Sequence, residues 1–172
     1  NNKTCNTGRS DPTAQPMPLS DANIQEWKDD AASGGTTTGD VHVNYAGATL
    51  GPRKITGNLL IDGGGTLTVA GSLWIQGTLT VNGGGKIKLA SSYGTNSGAI
   101  ITDGYVSLTG GANFAGSGQI GSYPFLITTS ACPVAYGCNG NDAIYLSGGA
   151  GTVALIAQDG NVHISGGSSL KE

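Results

Sequence analysis

The chain repeats one pattern of apolar and polar positions along most of its length. Between Gly57 and Ala90 the pattern occurs twice: two apolar residues spaced two apart, three consecutive glycines, and two more apolar residues spaced two apart. The second apolar residue of successive copies falls at positions 43, 61, 81, 108, 146 and 164, with spacings of 18, 20, 27, 38 and 18 residues. Self-similarity at such a spacing is typical of proteins that stack one supersecondary unit on the next.

Within one period, three short segments carry apolar residues at alternate positions: Leu59 to Ile61, Leu67 to Val69 and Leu73 to Ile75. Alternation of this length predicts β-strands, and the glycines between them permit the turns. One such strand is too short to bury its own apolar residues, so successive coils must stack about 4.8 Å apart. The sequence therefore predicts an all-β fold, a single-stranded parallel β-helix with about three strands per 18–20-residue coil.

The predicted solenoid covers residues 39–172, and its two longest spacings contain insertions rich in turn-forming residues. A β-sandwich or barrel would also use many short strands. Hairpin connections, however, do not explain why Leu59 and Leu79 begin the same pattern. The pattern also predicts that Leu59, Ile61, Leu67, Val69, Leu79, Val81, Ile87 and Leu89 all point inward.

Residues 1–38 do not share the repeat and are predicted to form an extended tail followed by a short helix over residues 20–33. Ser20 is a suitable N-cap and Gly34 a suitable stop, while Ile24, Trp27 and Ala31 fall on one face. Because the edges of a solenoid invite unwanted pairing, we expect this helix to cap the open end or the side of the first coils.

The third strand of each coil is apolar at consecutive positions, as in Leu73-Trp74-Ile75. A strand that is apolar on both sides is normally covered on both sides. Either residues 1–38 cover this face, through Ile24 and Trp27, or a neighbouring subunit does. The candidate interface residues are Trp74, Ile101, Ile127, Leu155 and, near the end of the chain, Leu170.

Composition narrows the range of partners. The net charge is -3 and the chain has two arginines, Arg9 and Arg53, which supply no basic face for nucleic acid. Glycine, with 31 of 172 residues, is far above average usage. The sequence contains no apolar run long enough to span a bilayer. It predicts a single domain with neither a nucleic-acid partner nor a membrane span.

The three cysteines bear on the cellular compartment. Cys132 and Cys138 flank a short segment of turn formers and are predicted to form a disulfide, the alternative being two buried thiols that never meet. Cys5 then has no cysteine left to pair with in this sequence. It is expected to be free, bonded to a cysteine of another chain, or paired with a cysteine outside the residues given. A disulfide favours an extracellular or cell-surface location.

Residues suited to catalysis or metal binding are few and scattered. Asp103 and Asp159 each precede a glycine, as ordinary turn residues do, and Asp62 fits a corner. His42 and His163 occupy equivalent positions five coils apart, about 24 Å at 4.8 Å per coil, too far to share a metal ion. The Thr-x-Thr pairs that begin at Thr66 do not recur from coil to coil, which argues against an ice-binding face. No enzymatic activity and no cofactor are predicted.

The sequence resembles the glycine- or asparagine-rich β-helix domains of prepilin-like surface proteins from uncultivated bacteria and, more distantly, the polymer-forming bactofilins. The matching segments are Pro16 to Trp27, Leu50-Gly51-Pro52, Ile55 to Leu59, Gly71 to Ile75 and Leu170-Lys171-Glu172. This resemblance implies an exported solenoid that is anchored to the surface or belongs to an appendage.

These observations lead to one functional hypothesis and one alternative. We expect a non-enzymatic extracellular β-solenoid with a structural or adhesive role, able to self-associate into filaments through an open end near Val162 to Glu172 or through its apolar third face. The alternative is a β-helix that binds or cleaves carbohydrate, for which the aromatic residues Trp74, Tyr93, Tyr105 and Tyr145 are too few and too scattered.

Overall fold

The computed structural model describes residues 19–132, 142–148 and 153–166. Within them it contains one α-helix, sixteen strands and one short 3-10 turn. In chain order these are α1 (Asp21–Ser33), β1 (Thr36–Thr37), β2 (Val41–Val43), β3 (Ala48–Leu50), β4 (Arg53–Ile55), β5 (Leu59–Ile61), β6 (Thr66–Val69), β7 (Leu73–Ile75), β8 (Leu79–Val81), β9 (Lys86–Leu89), the 3-10 turn (Ser91–Tyr93), β10 (Gly98–Thr102), β11 (Val106–Thr109), β12 (Asn113–Ala115), β13 (Pro124–Thr128), β14 (Asp142–Ser147), β15 (Ala154–Ala157) and β16 (Asn161–Ser165).

The strands form three parallel sheets, which confirms the predicted parallel β-helix. Sheet A has the order β1-β4-β7-β10-β13-β15, sheet B the order β2-β5-β8-β11-β14-β16, and sheet C the order β3-β6-β9-β12. Each strand inside a sheet pairs with its counterparts one coil earlier and one coil later, and the strands at the ends of the sheets pair on one side only. In the first four coils the chain therefore visits each sheet once per coil, as a three-sided solenoid does, and the described part of the last two coils contributes strands to sheets A and B.

The repeat read from the sequence gives the register of sheet B, which has one irregularity, between Asp142 and Ile144 of β14. One continuous column of paired residues contains Val43, Ile61, Val81, Leu108, Leu146 and Ile164. The eight residues predicted to point inward are all buried: seven have no exposed surface, and Leu89 is 2% exposed. They belong to one core cluster that runs along the solenoid axis.

The glycine triplets form the corner between sheets B and C. Gly63 and Gly64 have φ angles of 55° and 74°, and the next coil repeats them with 53° and 77° at Gly83 and Gly84. Residues with a Cβ rarely adopt this left-handed region. The corner therefore requires glycine in successive coils, which explains much of the unusual composition.

Helix α1 begins and ends where the sequence predicts. The Ser20 hydroxyl accepts a hydrogen bond from the Asn23 amide nitrogen at 3.2 Å, and the Asn23 side chain accepts one from the Ser20 amide nitrogen at 3.3 Å. This reciprocal arrangement is a capping box. The helix packs on the outer face of sheet A, against β4, β7 and β10, so it covers the side of the solenoid.

Candidate functional site

The outer face of sheet A is the apolar third face of the sequence analysis, and α1 covers much of it. Ile101 and Ile127 have no exposed surface and form a second small core with Ile24 of the helix. Trp27 packs against the same cluster but stays partly exposed. For Ile101 and Ile127, therefore, the covering element is the chain's own N-terminal helix, the first of the two predicted alternatives.

The candidate interface residue Leu155 does not lie on this face. It pairs with Leu126 and packs against the inner core, whereas the neighbouring Ile156 continues the outer column formed by Trp74, Ile101 and Ile127. Because side chains alternate along a strand, a choice that is wrong by one residue selects the opposite face. Strand β15 is apolar at every position, so its sequence does not indicate which residues face inward. Leu170 lies outside the described residues.

A cluster of polar side chains around Asp103 connects α1 to sheet A. The Asp103 carboxylate accepts hydrogen bonds from Trp74 Nε1 at 2.8 Å and from the Thr129 hydroxyl at 3.1 Å, and it pairs with Lys28 Nζ at 2.6 Å. Lys54 Nζ lies 4.2 Å from the centre of the Trp74 ring, a cation–π contact. Sequence reasoning assigned Asp103 only a turn role, because Lys28 is 75 positions away and no local pattern links them.

The last described coil differs from those before it. On β16, Val162 is 40% exposed and Ile164 is 50% exposed, although their partners on β14, Ile144 and Leu146, are fully buried. All four residues of β15 are only partly buried. Among the described residues no further strand pairs with the outer edges of β15 and β16. This end of the solenoid thus exposes the apolar cross-section of its own core.

The first coil forms the opposite end. Val41 on β2 and both Ala48 and Leu50 on β3 are partly buried and pack against the core from one side. In the described ranges, the outer edges of β1, β2 and β3 have no strand partner either. In the described residues both ends therefore have strand edges without a strand partner, but the first coil exposes less apolar surface than the last, since Val43 is 2% exposed.

The two histidines lie in the outward column of sheet B, on its first and last strands. His42 Nε2 is 2.8 Å from Asp62 Oδ1, and His163 Nδ1 is 3.0 Å from Asp142 Oδ2. The Tyr145 ring stands edge-on to His163, and a hydrogen bond from the Ser165 hydroxyl lowers the pKa of this tyrosine. The part of the chain that the structure describes contains no group of three ligands suited to a metal ion.

Tyr93 and the cysteines are the remaining candidate groups. Burial raises the pKa of Tyr93, with a smaller contribution from the carboxylate of Asp30. Cys132 is fully buried, and its amide nitrogen donates to the Ser130 hydroxyl at 3.0 Å. Cys138 and Cys5 lie outside the described residues, so the disulfide and the intermolecular thiol stay predictions.

No family model, curated protein or solved structure matches the chain. The resemblance to prepilin-like β-helix domains and bactofilins therefore stays a prediction. A search of the described residues found no helix long and apolar enough to cross a membrane.

Proposed function

We propose that this protein is a non-enzymatic, extracellular structural module whose solenoids join end to end. The observation that carries the proposal is the exposure of Val162 and Ile164 at inward positions that are fully buried on β5, β8, β11 and β14. Exposed apolar surface beside unpaired strand edges favours the addition of another strand. The open end thus has the features of an association surface.

The proposed occupant is the first coil of a second copy. Strand β2 carries Val41 and Val43 at the same spacing as Val162 and Ile164, and the partly buried Val41 can face the apolar residues of β16 across the joint. A head-to-tail contact continues the parallel ladder, whereas a tail-to-tail contact would bring antiparallel strands together. Head-to-tail contacts do not close on themselves and therefore build filaments.

The state of the carboxylates supports a non-enzymatic role. Asp62 and Asp142 are each paired with a histidine, and Asp103 is held by Lys28, Trp74 and Thr129. A glycosidase needs two carboxyl groups that face one cleft. Among the described carboxylates these three serve as structural ion-pair and hydrogen-bond partners on different parts of the solenoid.

Sedimentation velocity at several protein concentrations tests the proposal. We expect the average mass of the wild-type chain to rise with concentration. The variants Ile164→Glu and Val41→Glu each disable one end, since a carboxylate must then enter the apolar joint. Each variant alone should stay monomeric. An equimolar mixture should give a dimer that grows no further, because the intact last coil of Val41→Glu can bind only the intact first coil of Ile164→Glu.

The matched control is Thr80→Glu, which adds the same charge to an outward position in the middle of sheet B. It should associate like the wild type. A wild-type chain that stays monomeric at every concentration, with and without reductant, refutes the proposal. Dimers of Val41→Glu alone would indicate tail-to-tail contact and also contradict it.

The extracellular location rests on the predicted bond between Cys132 and Cys138, since such bonds persist in oxidising compartments. Intact-mass measurement of protein isolated under non-reducing conditions should show two hydrogens fewer than the reduced chain, with only Cys5 open to alkylation. Three reactive thiols would argue for a reducing compartment.

A further inference from the structure

A groove of about 540 Å³ runs along the corner between sheets A and B. Its lining comes from equivalent corners of four successive coils: Asn58, Gln76 to Thr78, Asp103 to Tyr105, and Thr129 to Ala131. The corners stack along the solenoid axis, so the groove is axial. It lies on the side of the solenoid, away from both of its ends.

The floor of the groove is backbone. A Cβ atom on Gly104 would lie 2.4 Å from the carbonyl oxygen of Gly77, so no side chain can occupy this position. Beneath the floor, the buried hydroxyls of Thr102 and Thr128 donate to the carbonyl oxygens of Gly77 and Gly104 at 2.6 and 2.7 Å. These bonds hold the backbone of the corner in place beneath the groove.

The walls carry polar groups, one of them the Asp103 carboxylate, and one aromatic ring. On the sheet B side lie Asn58, Thr78 and Tyr105; on the sheet A side lie Gln76, Asp103 and Thr129. Asn58 Oδ1 accepts from the Thr78 amide at 2.9 Å and from its hydroxyl at 3.0 Å, which orients both side chains in advance.

The charge in the groove is balanced. Asp103 supplies a carboxylate to the wall, and Lys28 neutralises it from outside the groove at 2.6 Å. An ionic ligand would therefore find no unpaired opposite charge among the lining residues. The groups that remain, amides, hydroxyls and one ring, are those that recognise neutral polyhydroxylated molecules.

We propose that this corner groove binds a neutral, extended oligosaccharide. Sugar hydroxyls would exchange hydrogen bonds with the exposed Gln76 amide, with Asn58 and with Thr129, while the apolar face of one sugar ring packs on Tyr105. The wall positions recur at the coil spacing of about 4.8 Å, with a different side chain in each coil, which suits an extended chain laid along the axis. This site is independent of the end-to-end joint.

Calorimetric titration with cellohexaose and chitohexaose tests the proposal, because flat β-linked chains fit a straight channel. Maltohexaose, whose α-linked chain curves, is the control ligand and should bind at least ten-fold more weakly than the better β-linked probe. Tyr105→Ala should weaken binding of that probe about ten-fold, and Tyr105→Phe, which keeps the ring, should retain most of it.

Tyr45→Ala is the matched control protein, since Tyr45 is 85% exposed and lies outside the groove. It should bind as the wild type does. The proposal is overturned if neither β-linked probe binds the folded wild-type chain at millimolar concentration, or if Tyr105→Ala and Tyr45→Ala bind equally well. Because the readout is sugar binding by monomer or filament alike, its failure leaves the end-to-end association untouched.

Discussion

Strands β8 and β16 belong to the same sheet and carry the same apolar-x-apolar pattern, yet their surroundings differ. Val81 of β8 has no exposed surface, whereas Ile164 of β16, in the same column of the register, is 50% exposed. The pattern decides which side of the strand a residue faces. Burial of Ile164 falls because no described coil covers β16, whereas Val43, on the other terminal strand of the sheet, is still only 2% exposed.

The outer faces of sheets A and B offer a second contrast. On sheet A, the column that contains Ile101 and Ile127 is apolar and lies largely under α1. On sheet B, the outward column includes His42, Thr80 and His163, and no helix of the described residues packs on it. The same coil geometry thus presents one face for internal packing and one to solvent.

The largest expected effect is that of Val81→Asp. An unpaired carboxylate in the middle of the core should lower the free energy of unfolding by at least about 3 kcal/mol. Urea denaturation followed by circular dichroism measures it. Thr80→Asp, one residue away but outward, should cost less than about 1 kcal/mol; equal midpoints for the two variants would contradict the inward assignment of Val81.

Asp103→Asn should have the next largest effect, about 1 to 2 kcal/mol, because it removes the ion pair with Lys28 and weakens the bond from Trp74. Hydrogen exchange should show faster exchange in α1 than in the strands of sheet B. The control is Asp159→Asn, at an exposed Asp-Gly turn. Equal exchange of α1 in both variants would mean that Asp103 is only a turn residue.

Ser20→Ala should cost about 1 kcal/mol, the usual value for loss of an N-cap. The change should appear as faster hydrogen exchange at the first turn of α1, including the Asn23 amide. Ser20→Asp keeps an acceptor at the same position and should restore protection. If Ser20→Ala leaves exchange unchanged, the capping box does not stabilise the helix.

Ile164→Asp tests the difference in burial between Val81 of β8 and Ile164 of β16. It should have the smallest effect on the stability of the single chain. Because Ile164 is already half exposed, its new carboxylate stays hydrated, and we expect a loss below about 1 kcal/mol in dilute solution. The urea midpoint relative to that of Val81→Asp measures the difference. A loss as large as that of Val81→Asp would show that the last coil is buried in solution.

Much of the fold follows from local patterns. The eight inward residues from Leu59 to Leu89 are alternate positions of single strands, so a period of two identifies them without knowledge of their neighbours. The bounds of α1 follow from Ser20 and Gly34 for the same reason. Strand β15 has no alternation, because it is apolar at every position. Its sequence therefore does not show which residues point inward, and the prediction that Leu155 lies on the outer face is wrong.

The sequence by itself determined the coil repeat, the register of sheet B and the limits of the helix, because each depends on residues close together in the chain. The tertiary structure alone decided that α1 lies on the side of the solenoid, that Asp103 joins Lys28 to Trp74, and that four corners form one groove. These features depend on contacts between residues tens of positions apart. Local periodicity carries no information about such contacts, since packing fixes them only after the coils have stacked.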